Sequence, residues 1–428
     1  MIVKQTLVKI KNRLRVLWEY NIFKYTILIH SGYFIFSIIL TLVFFRQQND
    51  FLVYYEVGEV VLRNINDLYT EPYNWPFRYL PLSALYFVPF YLMGFDFGFI
   101  VFNLINLILN ILICIFLYKI INLVRGKDHE TDEKRVVLYI CLYMISLPQI
   151  FNYILGQVNL YVTLLILVSL FIFLKYSSIK WQLIASIILG LSIIIKPITT
   201  FMIPFLIIIQ FDLKNKKFKF DMKRSLVRLI GVILPVSLNL IMFIIYPRLL
   251  QGFLATNFTS LEPSQVNHSF SITKLIINLF YVIGFTENQL LSIQMPLFLT
   301  ILIMIAIMGF ISFITRKTTN YQIIYGYSIG ILIMLICYYD SWDHHLLNLI
   351  PLLLIILFNL PRESEITKKF IKPSFIFFSF LDLAFMGIYF AVKDIFPFNF
   401  GSTIFLVLIL YGLIKHLNFK KSIEQKWK

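Results

Sequence analysis

The chain has 428 residues, of which 59% are hydrophobic and only 14% are charged, with a formal net charge of +16 at pH 7. This composition is too apolar for a soluble domain. The basic residues cluster at the ends of apolar runs, which is the pattern of cytoplasmic loops in membrane proteins and not of a nucleic-acid-binding stripe. We therefore predict a polytopic membrane protein, a membrane partner and no nucleic-acid partner.

The first elements are a basic arm over residues 1–27 and a helix at roughly 28–45. The arm is predicted to be cytoplasmic, and the helix is expected to be retained because no A-x-A cleavage site follows it. The chain then enters a first outer loop, residues 46–96, rich in acidic, aromatic and amide side chains. Loops of this length are usually functional when they are not disordered.

A short apolar run with two prolines, "LPLSALYFVPFYLMGF", closes this loop. Charge parity along the chain forbids a full crossing here, so the run is predicted to be a re-entrant or interfacial helix. The same parity places "LGQVNL" outside and makes Lys196-Pro197 the outer tip of a short helical hairpin. These assignments follow from alternation between the basic segments "VRGKDHETDEKR" and "KYSSIK".

In the second half, "ITRKTTNY", "PRESEITKKF" and the basic tail 416–428 are predicted to be cytoplasmic, which puts "DSWDHH" outside. About twelve crossings result. We therefore predict an all-α bundle forming a single membrane domain over residues 1–428, integral to the plasma membrane. Both termini are expected in the cytoplasm and the active site outside.

Asp50 stands directly after the first predicted helix, where the chain leaves the membrane. A carboxylate just above the bilayer, beside a lipid-facing groove, is placed to deprotonate a sugar hydroxyl as a general base. A structural role is the alternative, because Asn49-Asp50 precedes a helix-like run that Asp50 can cap. Position alone leaves both roles open.

Two basic residues are candidates for binding a phosphate. Lys196 lies inside an apolar run, where a lone ammonium is costly unless it is paired or its stem reaches the interface. Arg78 ends the long outer loop, and its planar guanidinium suits phosphate oxygens, although an arginine that binds lipid headgroups would look the same in sequence.

The stretch "CYYDSWDHHLLNLIPLLLII" places ionisable groups between two very apolar runs. Adjacent residues on a helix diverge by ~100°, so only one of His344 and His345 is expected to face a shared cavity. That imidazole would donate to phosphate or sugar, with Asp343 or Asp340 fixing its tautomer. The alternative for a single histidine is that it merely begins the helix, whereas the pair together with Trp342 favours a function. The spacing is not that of a metal site, and no metal ligand set is predicted.

Three amide side chains, Gln157, Asn159 and Asn267, suit sugar hydroxyls or helix caps equally well. A second group recurs along one helical face, and in a bundle such a stripe is typical of interhelical hydrogen bonds, so it is left out of the site: Asn103, Asn106 and Asn110. The three cysteines lie in or beside apolar runs and lack C-x-x-C spacing, so neither a zinc site nor a disulfide framework is indicated.

Six segments in one order resemble the polyprenol-phosphate-mannose-dependent mannosyltransferases of the GT-C glycosyltransferase superfamily. They span roughly residues 45–360 and comprise Asp50 after the first helix, "LYTEPYNWPFRYLPLSALYFVPFYLM", "LGQVNLYVTLLILVSL", "LGLSIIIKPITTFMIPFLII", "VNHSFSI" and "YYDSWDHHLLNLIPLLLII". The chain departs from the family pattern at Tyr79-Leu80-Pro81, where the family has Tyr-Pro-Pro.

The resemblance implies a GT-C-type bundle and a metal-independent, inverting transfer of a hexose, most often mannose, from a polyprenyl-phosphate donor. The acceptor would be a lipid or glycan hydroxyl, and no cofactor beyond the lipid-linked donor is expected. Asp50 and His344 are the predicted catalytic residues. The predicted substrate-binding residues are Glu56, Arg78, Tyr79, Gln157, Asn159, Lys196, Asn267, Trp342, Asp343 and His345.

Two other functions are compatible with the sequence. One is a polysaccharide polymerase or ligase that uses diphosphate-linked donors, and the other is a transporter or flippase for lipid-linked sugars. The chain has no Walker A loop, no G-x-G-x-x-G and no G-x-S-x-G motif, so an ATP-driven pump is not predicted.

Overall fold

The computed structural model describes residues 15–130, 132–213, 215–259, 268–317, 321–393, 395 and 400–418. The predicted site residue Asn267 lies outside these ranges. Within these ranges, seven helices are long and apolar enough to cross a membrane: α1 (Asn21–Val43), α4 (Phe95–Val124), α5 (Glu133–Leu155), α9 (Met222–Ile245), α12 (Glu287–Ile314), α15 (Thr367–Val392) and α16 (Phe400–Asn418).

Shorter helices and one hairpin complete the described fold. The helices are α2 (Asp50–Asn64), α3 (Pro81–Leu92), α6 (Asn159–Lys175), α7 (Ile179–Ile195), the 3₁₀-helical α8 (Pro197–Leu206), α10 (Pro247–Leu254), α11 (Ile272–Val282), α13 (Gln322–Cys337) and α14 (Asp343–Asn359). The strands β1 (Ile209–Asp212) and β2 (Lys217–Phe220) pair antiparallel.

The helices form one bundle, and hydrogen bonds join different helices at each of its two ends. At one end, Asn359 Nδ2 donates to Val124 O at 2.9 Å, joining the last turns of α14 and α4. At the other end, Lys196 after α7 donates to Asn159 Oδ1 at the start of α6, at 3.1 Å. The prediction of an all-α polytopic membrane protein is confirmed.

The two-proline run forms α3 as predicted, and it is short. At about 1.5 Å per residue it extends ~18 Å, less than the ~30 Å of a hydrocarbon core. It packs on α2, where Tyr54 stacks on Phe87 with ring centroids 4.4 Å apart. A Cβ on Gly58 would lie 2.8 Å from Phe87 O, so the two helices approach as closely as a glycine allows.

The predicted hairpin with its tip at Lys196-Pro197 is present. The chain reverses its direction between α7 and α8, so the start of α7 and the end of α8 lie together. Arg228 on α9 contacts both: it donates to Gln182 Oε1 near the start of α7, at 2.8 Å, and to Leu206 O at the end of α8, at 3.2 Å. The break between α7 and α8 falls at Lys196, whose backbone is extended. The β1–β2 hairpin that follows was not predicted from the sequence.

The asparagine stripe on α4 makes the interhelical hydrogen bonds predicted for it. Asn103 Nδ2 donates to Tyr153 O at 3.1 Å, and Asn110 Nδ2 donates to Gln149 Oε1 at 3.0 Å. These bonds tie α4 to α5 in the interior, where an unpaired amide would be costly.

Gly156 ends α5 in the left-handed region, with φ +64, and a Cβ there would lie 2.6 Å from the Cβ of Phe51. We expect Gly156→Ala to destabilise the protein by about 2 kcal/mol or more, since it combines backbone strain with overpacking. Thermal unfolding in detergent tests this. Gly32→Ala is the matched control, because nothing lies within 4 Å of its added Cβ and its tolerance is expected. Equal effects of the two changes would contradict the prediction.

Candidate active site

Asp50 is the first residue of α2, but it is not the residue that caps the helix. Asn49 has that role, because its Oδ1 accepts from Leu52 N at 2.9 Å. The Asp50 carboxylate points across the bundle, and its Oδ2 accepts from Gln157 Nε2 at 2.5 Å. Within the described part of the chain, Oδ1 of Asp50 accepts no hydrogen bond. The side chain is partly exposed, so this oxygen is available to a ligand.

Gln157 joins the carboxylate to an ammonium group. Its Oε1 accepts from Lys196 Nζ at 3.4 Å and from the Tyr54 hydroxyl at 3.1 Å. The Lys196 ammonium also donates to Asn159 Oδ1 and lies 5.9 Å from the centre of the Tyr79 ring. Lys196 is only 5% exposed, so its charge is held inside the protein by these groups and does not extend to the interface.

The environment of Asp50 changes its acidity. Burial raises the pKa of Asp50 to about 6, and the negative charge of Asp340 acts in the same direction. The hydrogen bond from Gln157 and the positive charge of Lys196 lower the pKa and offset part of the effect of burial. A carboxyl group that changes charge near neutral pH can accept a proton as a general base and release it afterwards.

The segment before α14 closes the other side of the pocket. Arg78 Nη1 donates to the Tyr338 hydroxyl at 2.9 Å and to Asp340 Oδ2 at 3.1 Å. The indole N–H of Trp342 donates to the second oxygen of Asp340. Asp340 therefore holds Arg78 and Trp342 together. Asp343 or Asp340 was expected to fix a histidine tautomer, and in the described part of the chain neither carboxylate hydrogen-bonds to His344 or His345.

The two histidines lie side by side, with ring centroids 4.4 Å apart, and both are buried. The turn lies next to Lys196, because Asn348 Nδ2 donates both to His345 O and to Asn159 Oδ1, the acceptor of the Lys196 ammonium. The backbone N–H of Trp342 donates to His345 Nδ1 at 3.1 Å. A backbone amide, and not a carboxylate, thus fixes this tautomer, and the neutral ring carries its proton on Nε2.

The family model of glycosyltransferase family 87 matches residues 77–338, which is more than half of the chain. The chain belongs to glycosyltransferase family 87. A search of curated proteins finds no match.

This membership makes the protein a membrane glycosyltransferase. The matched range includes Arg78, Tyr79, Gln157, Asn159 and Lys196. The matched range does not include Asp50 or the histidine pair, which the fold brings to the matched residues from either side.

One further residue of this pocket, Asn348, was not predicted from the sequence. Asn348 Nδ2 donates to Asn159 Oδ1 at 3.4 Å and to His345 O at 3.2 Å, while its own Oδ1 accepts from Thr163 at 3.1 Å. Asn348 thereby links the histidine turn to the residue that holds Lys196. A signal was available, because Asn348 follows His345 by three residues and therefore shares its helical face.

Glu56 lies apart from this constellation. It is half-buried on another face of α2, beside Glu59 and Glu71. Burial raises the pKa of Glu56, and the negative charges of Glu59 and Glu71 raise it further. Asp343 also turns away from the lysine, toward His268 Nδ1 at 3.8 Å from its Oδ2. Among the residues the structure describes, no group of three or more His, Cys, Asp or Glu side chains could hold a metal ion.

The contact between Gln157 and Asp50 predicts a pH response. If the ionised Asp50 carboxylate is needed for glycosyl transfer, the rate should fall as the pH drops through about 6. Gln157→Leu removes a hydrogen bond that favours the carboxylate, so the acid limb of kcat/KM should move to higher pH. Gln210→Leu is the control, since Gln210 binds Arg316 O at the far end of the bundle. An acid limb unmoved by Gln157→Leu would contradict this.

Proposed function

We propose that this glycosyltransferase moves a hexose from a polyprenyl-phosphate donor to an acceptor hydroxyl on the extracytoplasmic side of the plasma membrane. The proposed hexose is mannose. The transfer is inverting and metal-independent, with Asp50 as the general base. One observation carries the proposal: a partly exposed carboxylate and a buried ammonium are joined by one amide at one end of the bundle. The resemblance to polyprenol-phosphate-mannose-dependent enzymes supports the choice of donor.

The reaction needs a proton acceptor, and Asp50 supplies it. The acceptor hydroxyl gives its proton to Oδ1 of Asp50, and its oxygen attacks the anomeric carbon of the donor. The bond between that carbon and the phosphate oxygen breaks, and the oxygen leaves with the electron pair. Oδ2 stays bound to Gln157, which keeps the carboxylate oriented during the transfer.

The departing lipid phosphate needs fixed groups that meet its growing negative charge. Lys196 supplies a positive charge and His345 supplies a hydrogen-bond donor at Nε2, and both are already held in place by protein contacts. His344 lies against His345 and presents a second imidazole. Groups that need no reorganisation stabilise the transition state more than mobile ones do.

Arg78 and Trp342 are proposed to shape the donor side of the pocket. The Arg78 guanidinium is fixed by Asp340 and Tyr338, and its side chain is only 11% exposed. Tyr79 binds the Tyr54 hydroxyl at 2.8 Å and lines the pocket between Asp50 and Lys196. These contacts suit a sugar phosphate that enters with its lipid chain in the bilayer.

Asp50→Asn is the first test. The amide can still accept the hydrogen bond from Gln157 but cannot take a proton, so we expect kcat to fall by about 10²–10⁴-fold without loss of fold. Transfer from labelled polyprenyl-phosphate mannose by purified protein measures this. Asp96→Asn is the control, because Asp96 is an exposed carboxylate paired with Arg46 at 3.0 Å. Full activity of Asp50→Asn would remove Asp50 from its role.

The donor is tested with the unaltered protein. We expect a polyprenyl-monophosphate sugar to yield product and to be poorly competed by the diphosphate-linked sugar. Preference for the diphosphate would favour a polymerase or ligase. Movement of lipid-linked sugar across proteoliposomes without a new glycosidic bond would favour a flippase.

A further inference from the structure

Two acidic side chains lie beside the histidine turn, near the contact of α14 with α5 and α15. Asp343 begins α14 and Asp382 lies within α15, and they are only 6% and 4% exposed. Both line the same narrow, tightly packed crevice, whose other walls are apolar side chains of α5 and α15. Each carboxyl group has one oxygen, Asp343 Oδ1 and Asp382 Oδ2, that is buried and has no donor in the described part of the chain.

Two such carboxyl groups can face one apolar crevice at low cost only if they share a proton. Ionised carboxylates offer only acceptors, so two of them can hydrogen-bond only when one is protonated. Their other surroundings do not supply enough donors: Ser402 donates to Asp382 Oδ1, and His268 approaches Asp343 Oδ2 at 3.8 Å. In the described part of the chain, Asp343 Oδ1 and Asp382 Oδ2 have no conventional donor. Two bare charges in this apolar interior would repel each other strongly.

The pair connects the histidine turn to the last two helices. Asp343 directly precedes His344 and His345, while Asp382 belongs to α15 and its partner Ser402 belongs to α16. The segment before α11 also contacts the chain just before the histidine turn, since Phe270 N donates to Ser341 O at 3.1 Å. Thr403 on α16 in turn donates to Phe270 O at 2.8 Å.

We propose that Asp343 and Asp382 form a proton-sharing carboxyl pair that fixes the His344–His345 turn, which makes Asp382 a positioning residue for glycosyl transfer. This inference rests on the proposed function only in that the histidine turn contacts the donor. The shared proton takes the place of a salt bridge between the two helices. The pair as a whole keeps one negative charge. A neutral donor such as an amide can form the same hydrogen bond.

Infrared spectroscopy tests the shared proton without reference to activity. Near pH 8, about two units above the pKa of Asp50, Asp50 is ionised and contributes no signal from a protonated acid. The C=O stretch of a protonated carboxylic acid, identified by its shift in D₂O, should be present in the wild type. It should disappear in both Asp343→Asn and Asp382→Asn and persist in Asp96→Asn. A band that survives in Asp382→Asn overturns the pair.

Kinetics test the positioning role. Asp382→Asn keeps a donor toward Asp343 and should retain at least about half of wild-type kcat/KM, whereas Asp382→Leu should lower kcat/KM for the donor by about tenfold or more. The KM for the acceptor should change by less than about threefold in both variants. Wild-type kinetics in folded Asp382→Leu, or equal losses in the two variants, contradict the role. If Asp382→Leu does not fold, Asp382→Asn and the infrared band decide.

These outcomes separate the two proposals. A different donor or an inactive assay would leave the infrared result intact and would count against the proposed function alone. A normal loss of transfer in Asp50→Asn, together with a band that survives in Asp382→Asn, would count against the carboxyl pair alone.

Discussion

The arrangement of the site depends on keeping an ammonium group inside the bundle. Lys196 is almost fully buried where two short helices meet, and a buried charge is tolerated only when it is paired and hydrogen-bonded. Gln157 and Asn159 supply the hydrogen bonds, and Asp50 supplies the opposite charge through Gln157. Three segments far apart in sequence must therefore meet at one point, and this requirement fixes the pocket.

The same requirement explains the surrounding backbone. The chain must break at Lys196 for the ammonium to enter the pocket, and it must turn sharply at Gly156 for Gln157 to reach Asp50. Asn348 then ties Asn159 to the histidine turn, so the groups proposed to meet the phosphate share one rigid support. Preorganisation of this kind is what an enzyme needs when charge develops on a leaving group.

Much of this could be predicted because polar groups are expensive in hydrocarbon. Lys196, Gln157 and the histidines stood out in apolar runs, and the basic loops gave the order of crossings from which the hairpin tip at Lys196 followed. The asparagine stripe on α4 was interpreted correctly for the same reason. Position along the chain and hydropathy are sufficient for conclusions of this kind.

The misses have a common physical origin, since they depend on which partner a side chain meets in space. Both Asn49 and Asp50 can cap a helix, and only the direction of the side chains shows that Asn49 does so. The tautomer of His345 is set by a backbone amide, which no sequence pattern marks. Asp382 lies in an apolar helix, but its partner Asp343 is 39 positions away, so the pair could not be recognised before the fold was known.

The central claim is that one pocket holds the proton acceptor and the phosphate-binding groups. The most direct measurement is a cryo-electron microscopy structure of the Asp50→Asn variant with a polyprenyl-phosphate sugar bound. The account predicts phosphate density within hydrogen-bond distance of Lys196 Nζ and a histidine ring, with the anomeric carbon facing residue 50. Phosphate bound away from Lys196, for example at the β1–β2 end of the bundle, would contradict it.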